Sequence, residues 1–424
     1  MAKRIYLCLA HMSGKEMDYI KEAFDTNWVV PLGPNVNGFE ADLKAFVGNR
    51  HEVVALSSGT AAVHLALLAC GVGPGDEVMV QSFTFCASSN PVTYLGGKPV
   101  FIDSEVDTWN MDPELLEKAI ADRIKVTGKK PKAIIPVALY GMPYQIDRIM
   151  TIAEKYEIPV IEDAAEGFGS KFEGQILGSF GKFGVLSFNG NKIISTSGGG
   201  ALVCESEEFK NKIMFYATQA REAYPYYQHE EIGYNYRMSN ICAGIGRGQM
   251  TVAQDHIDHH KHVKDLYEEL FADVEGIEVH DTPSPRYDSN FWLNTIIIDP
   301  ALKIKGQENA YKTIVKGAVG GAAGVVHAAS SATTDCQPND NVEALRVVLD
   351  EAGIEARPLW KPMHKQPVYK DAVAYLNKCK LFGKESGSVS EALFKVGMCL
   401  PSGPYVTDDD VRYIVETIKG AIER

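Results

Sequence analysis

The chain has 424 residues, of which 45% are hydrophobic and 23% are charged, and this balance excludes a disordered or collagen-like polypeptide. Its 55 Asp and Glu residues outnumber its 42 Lys and Arg residues, so the net charge is -13 and nucleic acid is not an expected partner. No apolar run approaches the roughly 20 residues that a membrane helix needs, which predicts a soluble protein with no membrane partner.

The N-terminal segment and the cysteines bear on the cellular compartment. Two basic residues precede a short apolar stretch, but His11 and Ser13 interrupt it and no small-residue cleavage pattern follows. We therefore expect a buried N-terminal arm rather than a signal peptide. The eight cysteines are scattered, which excludes a Cys-x-x-Cys metal site and provides no disulfide framework. These features predict reduced thiols, no bound metal and a cytoplasmic protein.

Short β-branched runs alternate with helical stretches in the first half of the chain. This alternation predicts a mostly parallel central sheet. Several runs are apolar at consecutive positions, as expected of strands that helices cover on both faces. The predicted strands are 53–56, 77–80, 100–103, 133–139, 159–163, 185–188 and 201–204.

The pattern changes after about Met250, where a second and smaller unit is predicted to begin. Its expected elements are a long helix within 255–274, a strand within 291–299 and helices at 342–352 and 408–422. The expected domains are therefore 1–250, with the N-terminal arm, and 251–424. A segment rich in small residues, 317–341, is predicted to be an inserted loop in the second domain.

Four histidines lie close together in the long predicted helix: His256, His259, His260 and His262. Two of them share a helix face, which is a spacing that metal ligands use. They stand among charged residues and lack an acidic general base in an HExxH arrangement. A solvated helix face is therefore the preferred interpretation.

The segment 57–60, Ser-Ser-Gly-Thr, follows a predicted strand and opens an apolar helix. Hydroxyl groups and free backbone N–H groups at the start of a helix bind phosphate. An ordinary N-cap formed by Ser58 or Thr60 is an equal alternative for this motif alone.

Two further segments bring charged residues to the ends of strands. The strand that ends near residue 161 is followed by Glu162 and Asp163, at the edge where open α/β sheets bind ligands, although an Asp there can also cap the next turn. A later strand delivers Ser187 and then Lys192 in a tight turn. A partly buried lysine of this kind is a candidate Schiff-base nucleophile. A phosphate-binding helix start, a strand-end Asp and a turn Lys are the groups that pyridoxal phosphate chemistry requires.

Seven motifs together carry a family resemblance: PLGPNVNGFE, SSGTAA, SFTFCASSN, EDAAEGFGS, SFNGNKIISTSGGG, GYNYRMSN and RPLWKPMH. The chain resembles the DegT/DnrJ/EryC1/StrS family of sugar-nucleotide aminotransferases over nearly its whole length, apart from 317–341. The resemblance implies fold type I of the pyridoxal phosphate-dependent transferases. This is an α/β fold whose large domain has a mostly parallel central sheet flanked by helices, with a smaller C-terminal α+β domain.

The resemblance also implies roles for the cofactor-site residues. Lys192 would bind the cofactor's aldehyde and move protons, and Asp163 would hold the pyridinium nitrogen. Glu166 takes the position that contacts the ring hydroxyl, and Phe85 takes the position that stacks on the ring, with core packing as its alternative. The positions that match phosphate contacts are Ser58, Gly59, Thr60, Ser187 and Asn235.

Asn235 resembles a residue that reaches the phosphate of the neighbouring subunit's cofactor, which implies a homodimer with shared active sites. Arg237, in the same motif, is either structural or shapes the shared pocket. Asn27 and Trp28 resemble residues at the sugar-nucleotide entrance. The C-terminal motif gathers side chains suited to the phosphoryl oxygens of a nucleotide, with a solvated charge cluster as the alternative: Arg357, Trp360, Lys361 and His364.

The resemblance implies a transaminase that moves an amino group from L-glutamate to a nucleotide-linked keto-sugar, in amino-sugar and surface polysaccharide biosynthesis. The form of the C-terminal motif is similar to that of members acting on UDP-linked 4-keto-6-deoxy-2-acetamido sugars, bacillosamine-type or perosamine-type. Two alternatives are a sugar dehydratase on the same scaffold, in which the lysine position is typically His, and a non-catalytic pyridoxal phosphate-binding regulatory protein. Lys192 and Asp163 argue against both.

Overall fold

The computed structural model describes residues 4–49, 51–311 and 336–423. Within them twelve α-helices form: α1 (Glu16–Asp25), α2 (Pro34–Phe46), α3 (Gly59–Ala69), α4 (Asn90–Tyr94), α5 (Pro113–Thr127), α6 (Ile146–Tyr156), α7 (Glu207–Ala217), α8 (Asn240–Met250), α9 (Ala253–Phe271), α10 (Asp340–Glu351), α11 (Val389–Val396) and α12 (Asp408–Ala421). The same residues form seventeen strands: β1 (Glu52–Leu56), β2 (Glu77–Gln81), β3 (Lys98–Ile102), β4 (Ala133–Ile135), β5 (Ile161–Asp163), β6 (Lys171–Phe172), β7 (Gln175–Ile176), β8 (Phe183–Ser187), β9 (Gly200–Cys204), β10 (Ile277–Val279), β11 (Tyr287–Asp288), β12 (Asn294–Ile298), β13 (Arg357–Pro358), β14 (Ala374–Tyr375), β15 (Cys379–Leu381), β16 (Lys384–Ser386) and β17 (Gly397–Leu400).

A central sheet lies in the first half of the chain. It consists of two four-stranded parts, with the strand orders β1-β9-β8-β5 and β14-β3-β2-β4. Parallel bridges between Ile134 and Val160 and between Val137 and Asp163 join the two parts. Among these eight strands only β9 runs antiparallel to the others. The prediction of a mostly parallel central sheet is confirmed. Its strands are buried at nearly every position because helices pack on both faces.

The strand predicted at 133–139 is shorter in the structure, where β4 ends at Ile135. Pro136 follows directly and has no backbone N–H to continue the ladder with β2. Its carbonyl instead accepts a hydrogen bond from the N–H of Asp163 at 2.9 Å, which ties this segment to β5. The contact helps to hold Asp163 at the end of its strand.

The second half of the chain contains an antiparallel sheet in the order β10-β12-β17-β13. Helices α9, α10 and α12 contribute side chains to a core cluster that also includes Ile5 from the N-terminal arm. The expected burial of that arm holds for Ile5, Leu7 and Cys8, which are all at most 8% exposed. The division at residue 250 remains a prediction, because β11 and β14 of the second half pair with β6 and β3 of the first.

The prediction of a solvated histidine face on α9 is wrong for His256 and His260, which are 4% and 0% exposed. The helix contributes Ile257 to the core of the first half and Tyr267 to the core of the second, so more than one side of it is covered. The Nδ1 atom of His256 donates a hydrogen bond to the carbonyl of Ile193 at 2.9 Å. Burial lowers the pKa of His260 to about 3, so this imidazole is neutral at physiological pH.

Residues 317–335 of the predicted insertion lie outside the described residues. Of the remainder, Cys336 is buried, and α10 begins at Asp340, inside the range predicted as a loop. The eight cysteines form no disulfide with one another in the described residues. In the described parts of the chain, no helix has the length and apolar character needed to span a bilayer.

Candidate active site

A cavity of about 450 Å³ opens at the C-terminal edge of the central sheet. Its walls come from the ends of β1, β5 and β8, the first turn of α3 and the turn after β8. The carboxyl ends of parallel strands meet at one edge of a sheet, which is why these distant segments converge. The cavity brings together ten of the predicted site residues: Ser58, Gly59, Thr60, Phe85, Asp163, Glu166, Ser187, Lys192, Arg357 and Trp360.

Lys192 lines this cavity, and its side chain is 13% exposed. Its Nζ lies 3.4 Å from Oε1 of Glu166 and 3.7 Å from the centre of the Trp292 ring. The Trp292 ring is itself fixed, since its Nε1 donates a hydrogen bond to the carbonyl of Asn191 at 2.5 Å. A carboxylate and an aromatic face therefore hold the amine in one position inside the cavity.

Asp163, the last residue of β5, presents a buried carboxylate to the same cavity. Its Oδ2 accepts a hydrogen bond from the Ser88 hydroxyl at 2.6 Å, and its Oδ1 accepts one from the N–H of Ala165 at 3.2 Å. Burial raises the pKa of Asp163, whereas these hydrogen bonds and the charge of Lys192 lower it. Asp163 thus caps the following turn and also lines the cavity, so the two interpretations of this residue are compatible.

Glu166 is the second buried carboxyl group of the cavity and is 5% exposed. Its Oε2 accepts a hydrogen bond from the backbone N–H of Tyr140 at 2.7 Å. Tyr140 has a left-handed backbone with φ of 55°, and its hydroxyl accepts a hydrogen bond from the N–H of Trp360 at 2.8 Å. Burial raises the pKa of Glu166, and the charge of Lys192 opposes that rise.

The start of α3 approaches the strand ends closely. The Ser58 hydroxyl accepts a hydrogen bond from the N–H of Ala61 at 3.0 Å, so Ser58 is the N-cap. A Cβ added to Gly59 would lie 3.1 Å from Cβ of Ser187, and a Cβ added to Gly200 would lie 2.4 Å from the backbone N of Gly59. These glycines let the helix start pack against β8 and β9. The first-turn N–H groups that a helix cannot satisfy internally are therefore available to an anion in the cavity.

Phe85 lines the cavity and is 57% exposed, which excludes the core-packing alternative for this ring. The second half of the chain contributes Trp292, Trp360 and Arg357 to the lining of the cavity. The Arg357 guanidinium donates hydrogen bonds of 3.1 and 2.7 Å to Oε1 of Glu355. The site thus combines an anion-binding helix start, an exposed aromatic ring, two buried carboxyl groups and a lysine amine.

Comparison with known proteins assigns this arrangement to a family. The model of the DegT/DnrJ/EryC1/StrS aminotransferase family matches residues 11–312 and 307–419. The chain belongs to this family. The match spans both halves of the chain and includes all seven motifs that carry the resemblance.

Relatives of known name agree with this assignment along almost the whole chain. EpsN of Bacillus subtilis (strain 168), which carries the name of a pyridoxal phosphate-dependent aminotransferase, is 43% identical over 99% of this chain and 96% of its own length. GDP-perosamine synthase of Escherichia coli O157:H7 is 32% identical over 96% of this chain and 95% of its own length. The crystal structure of a DegT DnrJ EryC1 StrS aminotransferase from Brucella abortus has a TM-score of 0.78 at 28% identity, covering 96% of this chain and 95% of that one.

This aminotransferase uses pyridoxal phosphate, and its fold is fold type I of that enzyme class. The cavity fits the cofactor on its own geometry. The start of α3 lines the cavity with hydroxyl groups and backbone N–H groups, which are donors suited to a phosphate. A buried carboxylate suits a protonated ring nitrogen, and the amine of Lys192 suits an aldehyde. The chain is a pyridoxal phosphate-dependent sugar aminotransferase.

Several predicted site residues lie away from the lining of this cavity. The His364 side chain is 6% exposed, and its ring nitrogens lie 2.7 Å from Ser82 Oγ and 3.1 Å from Glu391 Oε1, so the ring joins two segments of the protein. Arg237 donates a hydrogen bond of 2.5 Å to Glu40, which favours the structural alternative for this residue. The remaining residues of this group do not line the cavity: Asn27, Trp28, Asn235 and Lys361. Asn235 is exposed, and so are Asn27 and Trp28.

The structure adds residues that the sequence did not single out. Ser88 orients Asp163, Trp292 contacts the amine of Lys192, and Tyr140 orients Glu166. Ser88 stands in the motif that contains Phe85, so a hydroxyl near a predicted ring-stacking residue was an available signal. Trp292 and Tyr140 lie in segments with no recognisable motif, because their roles arise from packing between distant parts of the chain.

Proposed function

We propose that this aminotransferase transfers an amino group from L-glutamate to the keto carbon of a nucleotide-linked hexose. The observation that carries the proposal is the convergence of Lys192, Asp163 and the start of α3 on one cavity. A sugar substrate agrees with the relatives, since GDP-perosamine synthase is 32% identical to this chain. The same proposal places the enzyme in amino-sugar and surface polysaccharide biosynthesis.

The acceptor proposed is a 4-keto-6-deoxy sugar, with a UDP-linked 2-acetamido form as the first candidate on the strength of the RPLWKPMH motif. Arg357 supports a phosphorylated acceptor, because guanidinium groups bind phosphoryl oxygens in a bidentate manner. Arg357 and Lys192 are the two positively charged side chains among the described residues that line the cavity. A chain of net charge -13 requires such local positive charge to hold a nucleotide diphosphate.

Each lining residue has a task in this reaction. The residues that would bind the phosphate of the cofactor are Ser58, Gly59, Thr60 and Ser187, and Phe85 would contact its ring. The carboxyl group of Asp163 would hold the ring nitrogen of the cofactor, while the Ser88 hydroxyl and the N–H of Ala165 donate hydrogen bonds to its oxygens. Bound pyridoxal phosphate supplies an electron sink for the carbon that loses a proton. Nζ of Lys192 removes the proton from the α-carbon of glutamate and returns a proton in the reverse sequence on the sugar.

The two alternative functions of the scaffold are less consistent with the site. A dehydratase of this family typically has His at the lysine position, whereas this chain has Lys192. In this cavity the amine of Lys192 lies 3.4 Å from the carboxyl group of Glu166, and the carboxyl group of Asp163 lines the same cavity. A non-catalytic protein has no need for this arrangement. These contacts favour transamination.

A homodimer with shared sites is part of the proposal. Asn235 is exposed and lies outside the lining of the cavity in its own chain. A few residues before Asn235 the chain has a group of exposed aromatic side chains, among them Tyr226 and Tyr227 at 59% and 78% exposure. Apolar surface of this kind is typical of protein interfaces. Asn235 can therefore serve the cofactor phosphate of a second copy.

The experiment is a substrate panel with the purified enzyme loaded with pyridoxal phosphate. UDP-linked and GDP-linked 4-keto-6-deoxy sugars are incubated with L-glutamate, and 2-oxoglutarate and the amino-sugar are measured together by mass spectrometry. We expect one member of the panel to yield both products in equal amounts, and Lys192→Ala to yield neither. An absorption spectrum that glutamate leaves unchanged would support the non-catalytic alternative instead.

A further inference from the structure

Two asparagine side chains lie where the active-site cavity meets a second cavity. The second cavity has a volume of about 270 Å³, and the N-terminal arm contributes Tyr6 and Leu9 to its lining. Asn189 and Asn191 line both cavities. A molecule that extends from Lys192 into the second cavity therefore lies next to these two amides.

The backbone that carries both amides is fixed, whereas the amides themselves are unpaired. The N–H of Lys192 donates a hydrogen bond to the carbonyl of Asn189 at 3.0 Å, and Nε1 of Trp292 donates one to the carbonyl of Asn191 at 2.5 Å. Both asparagines are exposed, and neither side chain has a hydrogen-bond partner among the residues that the structure describes. Each amide thus offers two N–H donors and a carbonyl acceptor to a ligand, from a turn that is already held in place.

The cofactor accounts for most of the other polar groups of the active-site cavity. By the assignments above, the start of α3 serves its phosphate, the two buried carboxyl groups serve its ring and Lys192 serves its aldehyde. Asn189 and Asn191 have no task among these. They are neutral hydrogen-bonding groups beside the reacting amine and are available to a substrate.

Neutral amides suit the substituents of a sugar ring better than they suit glutamate. Hydroxyl and acetamido groups both donate and accept hydrogen bonds, as the amide of asparagine does. Glutamate has two carboxylates, which form their stronger hydrogen bonds with charged partners. The two amides can therefore distinguish the acceptor of the reaction from its donor.

We propose that Asn189 and Asn191 recognise the hexose ring of the acceptor, through hydrogen bonds between their side-chain amides and the hydroxyl or acetamido substituents of the ring. This inference rests on the proposed function, because it requires a nucleotide-linked sugar as the acceptor. It makes the two asparagines specificity-determining residues for the half of the reaction that uses the sugar. They have no part in the half that uses glutamate.

The first test measures binding to the full-length enzyme loaded with pyridoxal phosphate and needs no turnover. Calorimetry with UDP and UDP-N-acetylglucosamine, and with GDP and GDP-mannose, identifies a pair in which the sugar increases the affinity. We expect Asn189→Ala and Asn191→Ala each to weaken binding of that sugar nucleotide by about threefold to tenfold, the usual loss for one hydrogen bond. Binding of the nucleoside diphosphate should stay unchanged, because it contains no hexose.

Asn211→Ala is the matched control for this test. Asn211 is an exposed asparagine of α7 whose side chain also lacks a hydrogen-bond partner among the described residues, and it lines neither cavity. This variant should bind both ligands as the wild type does. The proposal is overturned if the Asn189 and Asn191 variants bind the sugar nucleotide normally, or lose affinity for the diphosphate equally. It is also overturned if the hexose adds no affinity to either diphosphate in the wild type.

The second test separates the two halves of the reaction. The rate at which glutamate changes the absorption spectrum of the loaded enzyme should be the same in the wild type and in Asn189→Ala. For the sugar that the substrate panel identifies, kcat/KM should fall by about threefold to tenfold in this variant. A defect of folding would slow both halves, and such a parallel loss would contradict the proposal.

These outcomes are separate from the outcome of the substrate panel. A loss of affinity confined to the sugar nucleotide, in an enzyme that transaminates no member of the panel, would support the sugar contact and contradict the proposed function. Transamination that neither substitution affects would support the proposed function and contradict the sugar contact.

Discussion

At the scale of single residues, the site depends on how buried charges are compensated. Lys192 is held by Glu166 and the Trp292 ring, and Asp163 is held by Ser88 and Ala165. Such contacts matter in a cavity of this kind, because burying a charged group without a partner is costly. The two side chains therefore have separate sets of supporting contacts and can be tested separately.

Replacing Lys192 by Ala removes the amine and leaves the other contacts of the cofactor in place. We expect multiple-turnover transamination to fall below detection, while the fold and noncovalent binding of pyridoxal phosphate remain. Activity is measured by 2-oxoglutarate formation, and cofactor binding by absorbance after gel filtration. Sustained turnover by this variant would show that Lys192 is not the catalytic amine.

Asp163→Asn keeps the size and shape of the side chain and removes its charge. A neutral amide cannot hold the ring nitrogen of the cofactor in its protonated form, so we expect kcat/KM to fall by at least about tenfold, or about 1.4 kcal/mol of barrier. The measurement is steady-state kinetics on enzyme whose cofactor content has been determined. A smaller loss would mean that Asp163 acts only as the cap of its turn.

At the scale of elements, α9 joins the two cores of the molecule and buries histidines that the sequence pattern assigned to solvent. Its Ile257 packs with the first core and its Tyr267 with the second. Nine of the 19 residues of this helix are buried. This is why the simple distinction between a polar face and an apolar face did not describe it.

The burial of His260 predicts a dependence of stability on pH. Burial lowers its pKa from 6.5 to about 3, so between those values the unfolded chain binds more protons than the folded protein. The free energy of unfolding therefore falls as the pH is lowered below 6.5, because protons bind to His260 in the unfolded chain only. The loss is roughly 2 kcal/mol at pH 5, and above pH 6.5 there is none. We expect His260→Gln to flatten the change in the denaturant midpoint between pH 7 and pH 5.

His262→Gln is the control on the same helix, since the His262 side chain is 56% exposed. It should retain the pH dependence of the wild type. Identical slopes for His260→Gln and wild type would mean that His260 is protonated in the folded protein, contrary to its burial.

At the scale of the whole molecule, the position of Asn235 predicts that one chain cannot complete its own site. Lys192 and Asp163 line the cavity of their own chain, whereas Asn235 is exposed and does not. If Asn235 serves the neighbouring cofactor phosphate, each site of a dimer needs residues from both subunits. The two kinds of defect should then complement each other.

We expect hybrid dimers of Lys192→Ala and Asn235→Asp subunits to recover activity. One site of each hybrid combines an intact Lys192 with an intact Asn235, and the other carries both defects, with the introduced Asp repelling the phosphate. Activity is measured after subunit exchange, with hybrid formation verified by differently tagged chains. Verified hybrids whose activity only equals the average of the parents would contradict a shared site.

The comparison of sequence and structure is clearest at the cavity. The sequence predicted Ser58, Gly59, Thr60, Asp163, Ser187 and Lys192, and all of them line one cavity. Each of these residues ends, follows or opens a regular element, and the order of those elements along the chain indicates a parallel sheet. The carboxyl ends of such strands share one edge, so local pattern was enough to group these residues.

The chain's own sequence thus determined the class of fold, the cofactor chemistry and the residues at the strand ends, because strand periodicity, turn residues and short motifs are local properties. Only the tertiary structure decided that Trp292 and Tyr140 support Lys192 and Glu166, that Arg237 and His364 are engaged away from the cavity, and that His260 is buried. Those outcomes depend on contacts between residues that are far apart along the chain. No local pattern specifies which partner a side chain will meet once the two halves pack together.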